Sequence, residues 1–507
     1  MDVIVLIGPG VAADERLLRE MAAREFAALG VEGRVALASG TDAFRAGLDA
    51  AGDDQAVVAI PGSDPDARRL IGTSPACSPR TVWLDFARVG PTQAAGGAAH
   101  LQGRGVWGLA WAVRHAVHRL RRPARRIPYG DHPDQWGELR LPPAVAGPPP
   151  SSGTGPAGSA AVPSDSTGVS PGSTVVPTGI VTGVSPGSTV VPTGIVTGVS
   201  PGSTVVPTGI VTGVSPGPAV VPTGATGVSP DFAGASAASA GGSPPVSGEA
   251  SLPVVVLVHG GYWRSIWEAD LMDALAIDLA DRGYAAWNLE YRRPDLHGWD
   301  ATTGDVAAGL AALTAIGAPL DLARVAVLGH SAGGQLALRL AADTAAGSSG
   351  RDAGTAAASS GRGAEVVAAS CGGEADAAGE AWTEGGRMPV RVAVAVSLAG
   401  VLDLAEADRR RMGAGAVAAA LGGAVHDIPE VYAAASPLER LPLGVPQLVV
   451  QGADDDPDLV DIGRRYARAA GREAVHIEQP GDHFAVIDPG APIWNATVDH
   501  LAAQLRP

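Results

Sequence analysis

Val325-Ala326-Val327-Leu328-Gly329-His330-Ser331-Ala332-Gly333-Gly334-Gln335-Leu336-Ala337-Leu338 is the stretch on which the reading of this chain turns. Arg324–Leu328 is a short apolar strand, and Gln335–Ala342 continues as an apolar helix. Between them Gly329-His330-Ser331-Ala332-Gly333 matches G-x-S-x-G. A serine on so sharp a strand-to-helix turn has its Oγ pushed out above the sheet. Glycines flank it because side chains there would clash with the neighbouring strand and helix. The five-residue pattern is weak alone in a chain with 69 Gly. With strand before and helix after, Ser331 becomes the candidate nucleophile.

A nucleophilic serine needs a base, an orienting acid and a place for negative charge. His259-Gly260-Gly261-Tyr262-Trp263 follows the apolar strand Val254–Val258 directly. Gly-Gly lets backbone amides turn into a cavity, so Gly261 and Tyr262, with Ala332, are the candidate oxyanion donors. His259 is expected to order this loop rather than move protons. Trp263 is the candidate substrate-pocket wall, although it and Tyr262 suit a core equally well. For a serine on such an elbow the chain order is nucleophile, acid, base. His483, in Gly481-Asp482-His483-Phe484, falls on a loop after the last strand, Ala474–Glu478. His476 lies within that strand, and His500 lies in the terminal helix pattern. The acid belongs just after strand Gln447–Val450, where Asp454, Asp455, Asp456 and Asp458 crowd together. The third residue after Gly452 is Asp455, the preferred acid, with Asp454 and Asp456 as rivals.

Composition narrows the chemistry. All 36 basic residues are Arg, against 52 acidic ones, for a net charge of −16. That balance argues against nucleic acid or an anionic membrane as a partner. Without Lys there is no Schiff base, no pyridoxal-phosphate anchor and no Walker A lysine. Two cysteines, Cys77 and Cys371, make no disulfide framework and no cysteine-rich metal site. No cofactor and no metal are expected for the reaction. The opening run Met1–Ile7 has no basic start and reads as a buried strand, not a signal peptide. No run nears the ~18 apolar residues that span a bilayer, so a cytoplasmic location is expected.

The chain divides by composition. Residues 1–122 alternate strands (Val3–Leu6, Val57–Ile60, Thr81–Leu84) with helices (Asp14–Leu29, Val106–Leu120), which predicts a parallel sheet covered on both faces. Residues 143–250 are rich in Pro, Gly, Ser, Thr and Val, with a 15-residue repeat starting at Thr167, Thr182, Thr197 and, degraded, Thr212. Pro and Gly every few residues starve a core, so this tract is expected to be disordered. Residues 251–507 return to strand–helix alternation, with a low-complexity loop insert at 345–387.

These motifs resemble the α/β-hydrolase superfamily, over residues 127–142 and 251–507. His259-Gly260-Gly261-Tyr262-Trp263 is similar to the loop of kynurenine formamidases and related small esterases. Tyr129-Gly130-Asp131-His132-Pro133 with Leu139-Arg140-Leu141-Pro142 is similar to their opening. His483-Phe484, Ile487-Asp488-Pro489 and Trp494 resemble their C-terminal motif. The resemblance implies a serine esterase or arylformamidase-like hydrolase acting on a small-molecule ester or amide. It also places residues 143–250 inside the hydrolase domain, after its first strand at Leu139–Leu141.

Residues 1–122 resemble type II 3-dehydroquinate dehydratase, a flavodoxin-like α/β fold, at Gly8-Pro9, Pro61-Gly62 and Gly103–Leu120. The family's tyrosine base has no counterpart, since the first tyrosine is Tyr129, and its Asn position holds Ile60. The expectation is a domain without dehydratase chemistry, serving as a homo-oligomerisation or small-molecule binding module. The competing readings are a bifunctional lyase–hydrolase and a non-catalytic scaffold. The ordered Ser–Asp–His set weighs against the scaffold.

Overall fold

A strand buried on both faces needs cover on both. In the computed structural model of the chain, β1 (Asp2–Ile7), β2 (Glu32–Leu37), β3 (Gln55–Ile60), β4 (Thr81–Asp85) and β5 (Ala99–Gln102) form a parallel sheet in the order β2-β1-β3-β4-β5. The structure describes residues 1–90, 92–143, 251–349 and 390–505, together with 181–184, 189–190, 196–199, 204–205 and 211–214 in the repeat tract. Val3, Val5 and Ile7 pack with helices Glu15–Ala28 and Gly108–Arg121, while Ile4 and Leu6 pack with Phe44, Leu48 and Trp83. This parallel sheet with helices on both faces is the flavodoxin-like architecture expected for the N-terminal part of the chain. β2 and β5 escape the sequence reading for physical reasons. β2 is an edge strand whose Glu32, Gly33 and Arg34 face solvent, and β5 is four residues long with His100 and Gln102 buried in it.

The second sheet begins just beyond. β6 (Arg125–Pro128) and β7 (Trp136–Arg140) make an antiparallel hairpin at one sheet edge. Within the repeat tract, β8 (Val181–Val184), β10 (Val196–Val199) and β12 (Val211–Val214) pair in parallel, as do β9 (Thr189–Val190) and β11 (Thr204–Val205). Val181, Val196 and Val211 are register partners, so equivalent residues of successive copies stack. The rest of 144–250 lies outside the described residues, and most of the expected disorder falls there. β13 (Leu252–Val258), β14 (Ala285–Leu289), β15 (Leu320–His330), β16 (Val392–Leu398), β17 (Gln447–Gly452) and β18 (Ala474–Gln479) complete a sheet of order β18-β17-β16-β15-β13-β14-β7-β6. The repeat tract therefore leaves from β7 and returns at β13, with only β14 between them. Helix Ala332–Ser349 runs past the expected start of the second insert, and residues 350–389 lie outside the described set.

Both faces of this sheet are covered. Val255, Leu257, Leu328 and Val396 meet helices Asp273–Asp281 and Pro492–Gln504. Val254, Val256, Val258 and Val327 meet helices Trp299–Ala311, Ala332–Ser349 and Pro457–Ala470. No helix among the described residues is long and apolar enough to cross a membrane.

The two domains dock through buried charge. Arg104 holds Asp270 with two hydrogen bonds of 2.5 and 2.7 Å and donates a third, of 2.7 Å, to the Ile266 carbonyl. His115 Nδ1 lies 2.5 Å from Asp273, whose other oxygen is 3.1 Å from Arg140. At the exposed rim of the contact, Arg88 bonds Ser265 and Asp295 at 2.8 and 2.6 Å.

Loop-closure cost grows only logarithmically with length. Replacing residues 144–250 by a short Gly/Ser linker is therefore expected to keep the melting temperature within a few degrees. A protein left insoluble across several linker lengths, in expression and circular-dichroism trials, makes the stacked repeat a structural part of the domain.

Candidate active site

Ser331 sits where β15 gives way to helix Ala332–Ser349, with φ at +54°. A non-glycine residue there is strained, and the surroundings over-determine it. Its N–H donates to the Leu398 carbonyl at 2.8 Å, and its carbonyl accepts from Gly334 at 2.9 Å. A Cβ on Gly329 would lie 1.9 Å from the Gly333 carbonyl oxygen, and one on Gly333 would lie 2.1 Å from that of Val258. The turn has no room for anything but glycine at these two positions, which is the clash expected from the motif.

The three candidate aspartates among the four crowded there separate cleanly. Asp455 Oδ2 is 2.8 Å from His483 Nδ1 and also accepts from Gln451 Nε2 at 2.8 Å. Asp454 instead accepts from the Gly481 amide at 2.8 Å, tying the acid loop to the histidine loop. Asp456 caps helix Pro457–Ala470 through the Asp458 amide. Burial works against the charged ring of His483, but the Asp455 carboxylate outweighs it, so the His483 pKa lies above the usual imidazole value. Burial likewise works against the Asp455 carboxylate, and His483 holds it below the usual carboxylate range all the same. Among the described residues no hydrogen bond joins Ser331 Oγ to His483. Such contacts are commonly loose before substrate binds.

His330, the variable residue of the motif, has a role the sequence reading missed. Its Nε2 donates to the His483 carbonyl at 3.0 Å, and the two rings lie 4.7 Å apart. Burial drives its pKa down to about 3, so it stays neutral. It thereby anchors the backbone of His483, the candidate base. Changing His330→Ala is expected to lower kcat about tenfold, since small misplacements of reacting groups are costly. His330→Gln, which keeps a donor, should recover most of it in steady-state assays.

Gly261, Tyr262 and Trp263 run at φ of +112°, +52° and +55°. Successive left-handed residues turn consecutive amides to one side. The Gly261, Tyr262 and Ala332 amides make no turn or loop hydrogen bond among the described residues. His259 is buried and neutral, its pKa pushed to about 3 by burial. It stacks on Tyr291 at 4.4 Å and lies 3.2 Å from Glu290, the ordering role expected of it. Trp263, the expected pocket wall, is 2% exposed and donates to Gln335 at 3.1 Å, which places it in the core. Tyr262 is half-buried, and its hydroxyl has no partner. His476 is half-buried within β18, and His500 bonds the Ala496 carbonyl of its own helix.

His132, Asp134 and His297 also cluster, with ligand-type atoms within 4.8 Å of one another. His132 Nδ1 already accepts from the Asp134 amide, and Asp134 faces Arg293 at 3.4 Å. The two rings lie 4.6 Å apart, edge to face, and the group sits on the β6–β7 turn and at the end of helix Pro294–His297.

Residues 243–462 match the family BD-FAE, an α/β-hydrolase-type esterase family. Among solved structures, a bifunctional GH43-CE protein of Bacteroides eggerthii is 22% identical at a TM-score of 0.39, covering 52% of this chain and 33% of its own. The chain thus spans about a third of that protein. Esterase B of Lactobacillus rhamnosis is 17% identical at a TM-score of 0.37, over 50% of this chain and 76% of its own. A bacterial heroin esterase is 22% identical at 0.36, over 50% and 74%. No curated protein matches. The BD-FAE match, laid over the β18-to-β6 sheet and its strand–turn–helix at Ser331, makes the C-terminal part of the chain an α/β-hydrolase fold of the esterase type.

Proposed function

We propose that the chain is a serine hydrolase that cleaves a small carboxylic ester through an acyl-enzyme. The observation that carries this is the Asp455–His483 pair, brought to a loop whose backbone is bonded to the residue preceding a strained Ser331. In this reading His483 takes the Ser331 proton as Oγ attacks the carbonyl carbon. The oxyanion accepts from the Gly261, Tyr262 and Ala332 amides. His483 then returns the proton to the departing alcohol, and water reverses the sequence to free the acid. Asp455 holds the imidazole tautomer throughout.

The resemblance of the His259–Trp263 loop to kynurenine formamidases supports a second substrate class, an aryl formamide. A panel of p-nitrophenyl acyl esters and N-formylkynurenine, run on one preparation, separates the two. Labelling by a fluorophosphonate probe, located by mass spectrometry, tests the nucleophile. A label absent, or carried elsewhere than Ser331, overturns the reading. The reading also sets a pH profile. Only neutral His483 accepts a proton, and Asp455 raises its pKa. So kcat/KM should climb with pH through a midpoint above the ordinary imidazole value of ~6.5. A midpoint lower than that contradicts the pairing.

At the carboxyl end of the N-terminal sheet Asp85 is engaged by Arg68 and, at 2.8 Å, by His100. Any non-catalytic role of this domain, including self-association, is a separate proposal open to sedimentation analysis.

A further inference from the structure

Helix Gly108–Arg121 of the N-terminal domain carries Trp111, which touches both halves of the hydrolase site. Its ring lies 6.0 Å from that of Trp267, edge to face, and 5.7 Å from that of Phe484. Each of these neighbours presses on a group the chemistry needs. Trp267 packs so closely on Gly261 that a Cβ there would lie 2.3 Å from its Cγ. Phe484 follows His483 in the chain, and its ring lies 5.5 Å from that of His483 and 5.9 Å from that of His330. One side chain therefore backs the oxyanion loop and the base loop together.

The contact is fixed from behind. The Arg114 guanidinium lies 5.2 Å from the Trp111 ring and is held by Glu25 through bonds of 2.6 and 2.9 Å. The Arg104 guanidinium lies 4.6 Å from the Trp267 ring while it grips Asp270 and the Ile266 carbonyl. Aromatic side chains have few rotatable bonds and a large contact area, so such a cluster transmits position well. The oxyanion loop and the base loop must keep a fixed spacing, whereas the Asp454–Gly481 bond ties the base loop only to the acid loop.

We propose that Trp111 is a positioning residue for the hydrolase site, so that the N-terminal domain serves catalysis by holding His483 and the oxyanion loop in register. This rests on the serine-hydrolase reading. The domain then needs no chemistry of its own, which agrees with its lack of a tyrosine base.

The test uses the full chain. Wild-type labelling at Ser331 decides the serine-hydrolase reading first and independently. Given that label, Trp111→Leu keeps apolar bulk and should fold. Its kcat for p-nitrophenyl acetate should fall about tenfold with KM changed less than twofold, because misplaced catalytic groups slow chemistry more than binding. The pH midpoint should shift as the His483 loop relaxes. Trp111→Phe, which restores a ring, should return kcat to within about threefold of wild type. If Trp111→Leu lowers the melting temperature but leaves kcat and the pH profile unchanged, Trp111 is only a docking contact and the proposal fails. If Trp111→Leu does not fold, Trp111→Met, which also lacks the ring but fills the site flexibly, decides: wild-type kcat together with a wild-type pH midpoint overturns the proposal, and a reduced kcat with a shifted midpoint supports it.

Discussion

Ser331→Ala should lower kcat for a small ester by about four to six orders of magnitude while leaving the protein folded. The size of the effect follows from the proposed role: a Ser331 that forms the acyl-enzyme cannot do so without Oγ, and only oxyanion binding would remain. The unchanged fold follows from the backbone. Ser331 holds its φ of +54° through the Leu398 and Gly334 hydrogen bonds, which are main-chain on both sides, so an alanine keeps the turn and its strain. Asp455→Asn should cost about 10^4-fold, because the imidazole loses the partner that sets its tautomer. The double variant should be no worse than Ser331→Ala alone, since groups acting as a unit are not additive. Stopped-flow and steady-state hydrolysis, with a melting curve for each variant, check all three values. Near-wild-type turnover in Ser331→Ala removes the nucleophile and the mechanism with it.

Much of this site was legible because its parts are local. The elbow is five consecutive residues, and its glycines are dictated by contacts within one turn of chain. The candidate acid and base were reachable from strand-then-loop order, and the spacing from Gly452 favoured Asp455, the carboxylate that the fold sets 2.8 Å from His483 Nδ1. What sequence pattern does not carry is long-range pairing. The neighbours of Asp455 resemble it in every local respect, and only the folded loops show that Asp454 bridges to Gly481 and Asp456 caps a helix. His330 looked like a motif filler because its partner lies on a loop far along the chain. Trp263 was an even choice between wall and core because a buried and a pocket-facing tryptophan share the same loop signature; Gln335, which takes its N–H, lies far along the chain on helix Ala332–Ser349. The fold followed the same divide. Strands buried on both faces announced themselves as apolar runs, while the polar edge strands β2 and β6 did not. The domain interface was invisible, since nothing local marks Arg104 as the partner of Asp270.

That interface should dominate the stability of the chain. The Arg104 and Asp270 side chains are 1% and 2% exposed and share two hydrogen bonds. Removing one member of such a pair leaves the other charge buried and alone, at a cost of about 3–5 kcal/mol. Arg104→Ala also loses the bond to the Ile266 carbonyl and the contact with the Trp267 ring. Its melting temperature should fall by roughly 6–20 °C, given about 2–4 °C per kcal/mol for domains of this size. Asp270→Ala should fall comparably. The pair itself is not expected to be worth that much. Desolvating two ions offsets most of their attraction, so an apolar replacement of both, Arg104→Met with Asp270→Leu, should recover much of the loss. The comparison separates two causes that a single variant confounds. Recovery of melting temperature in the double variant, with limited proteolysis at residues 122–125 returning to the wild-type rate, assigns the loss to a stranded charge. A double variant as unstable as Arg104→Ala assigns it instead to the specific geometry in which Arg104 spans Asp270, Ile266 and Trp267. In that case the docked position of the N-terminal domain depends on that one guanidinium.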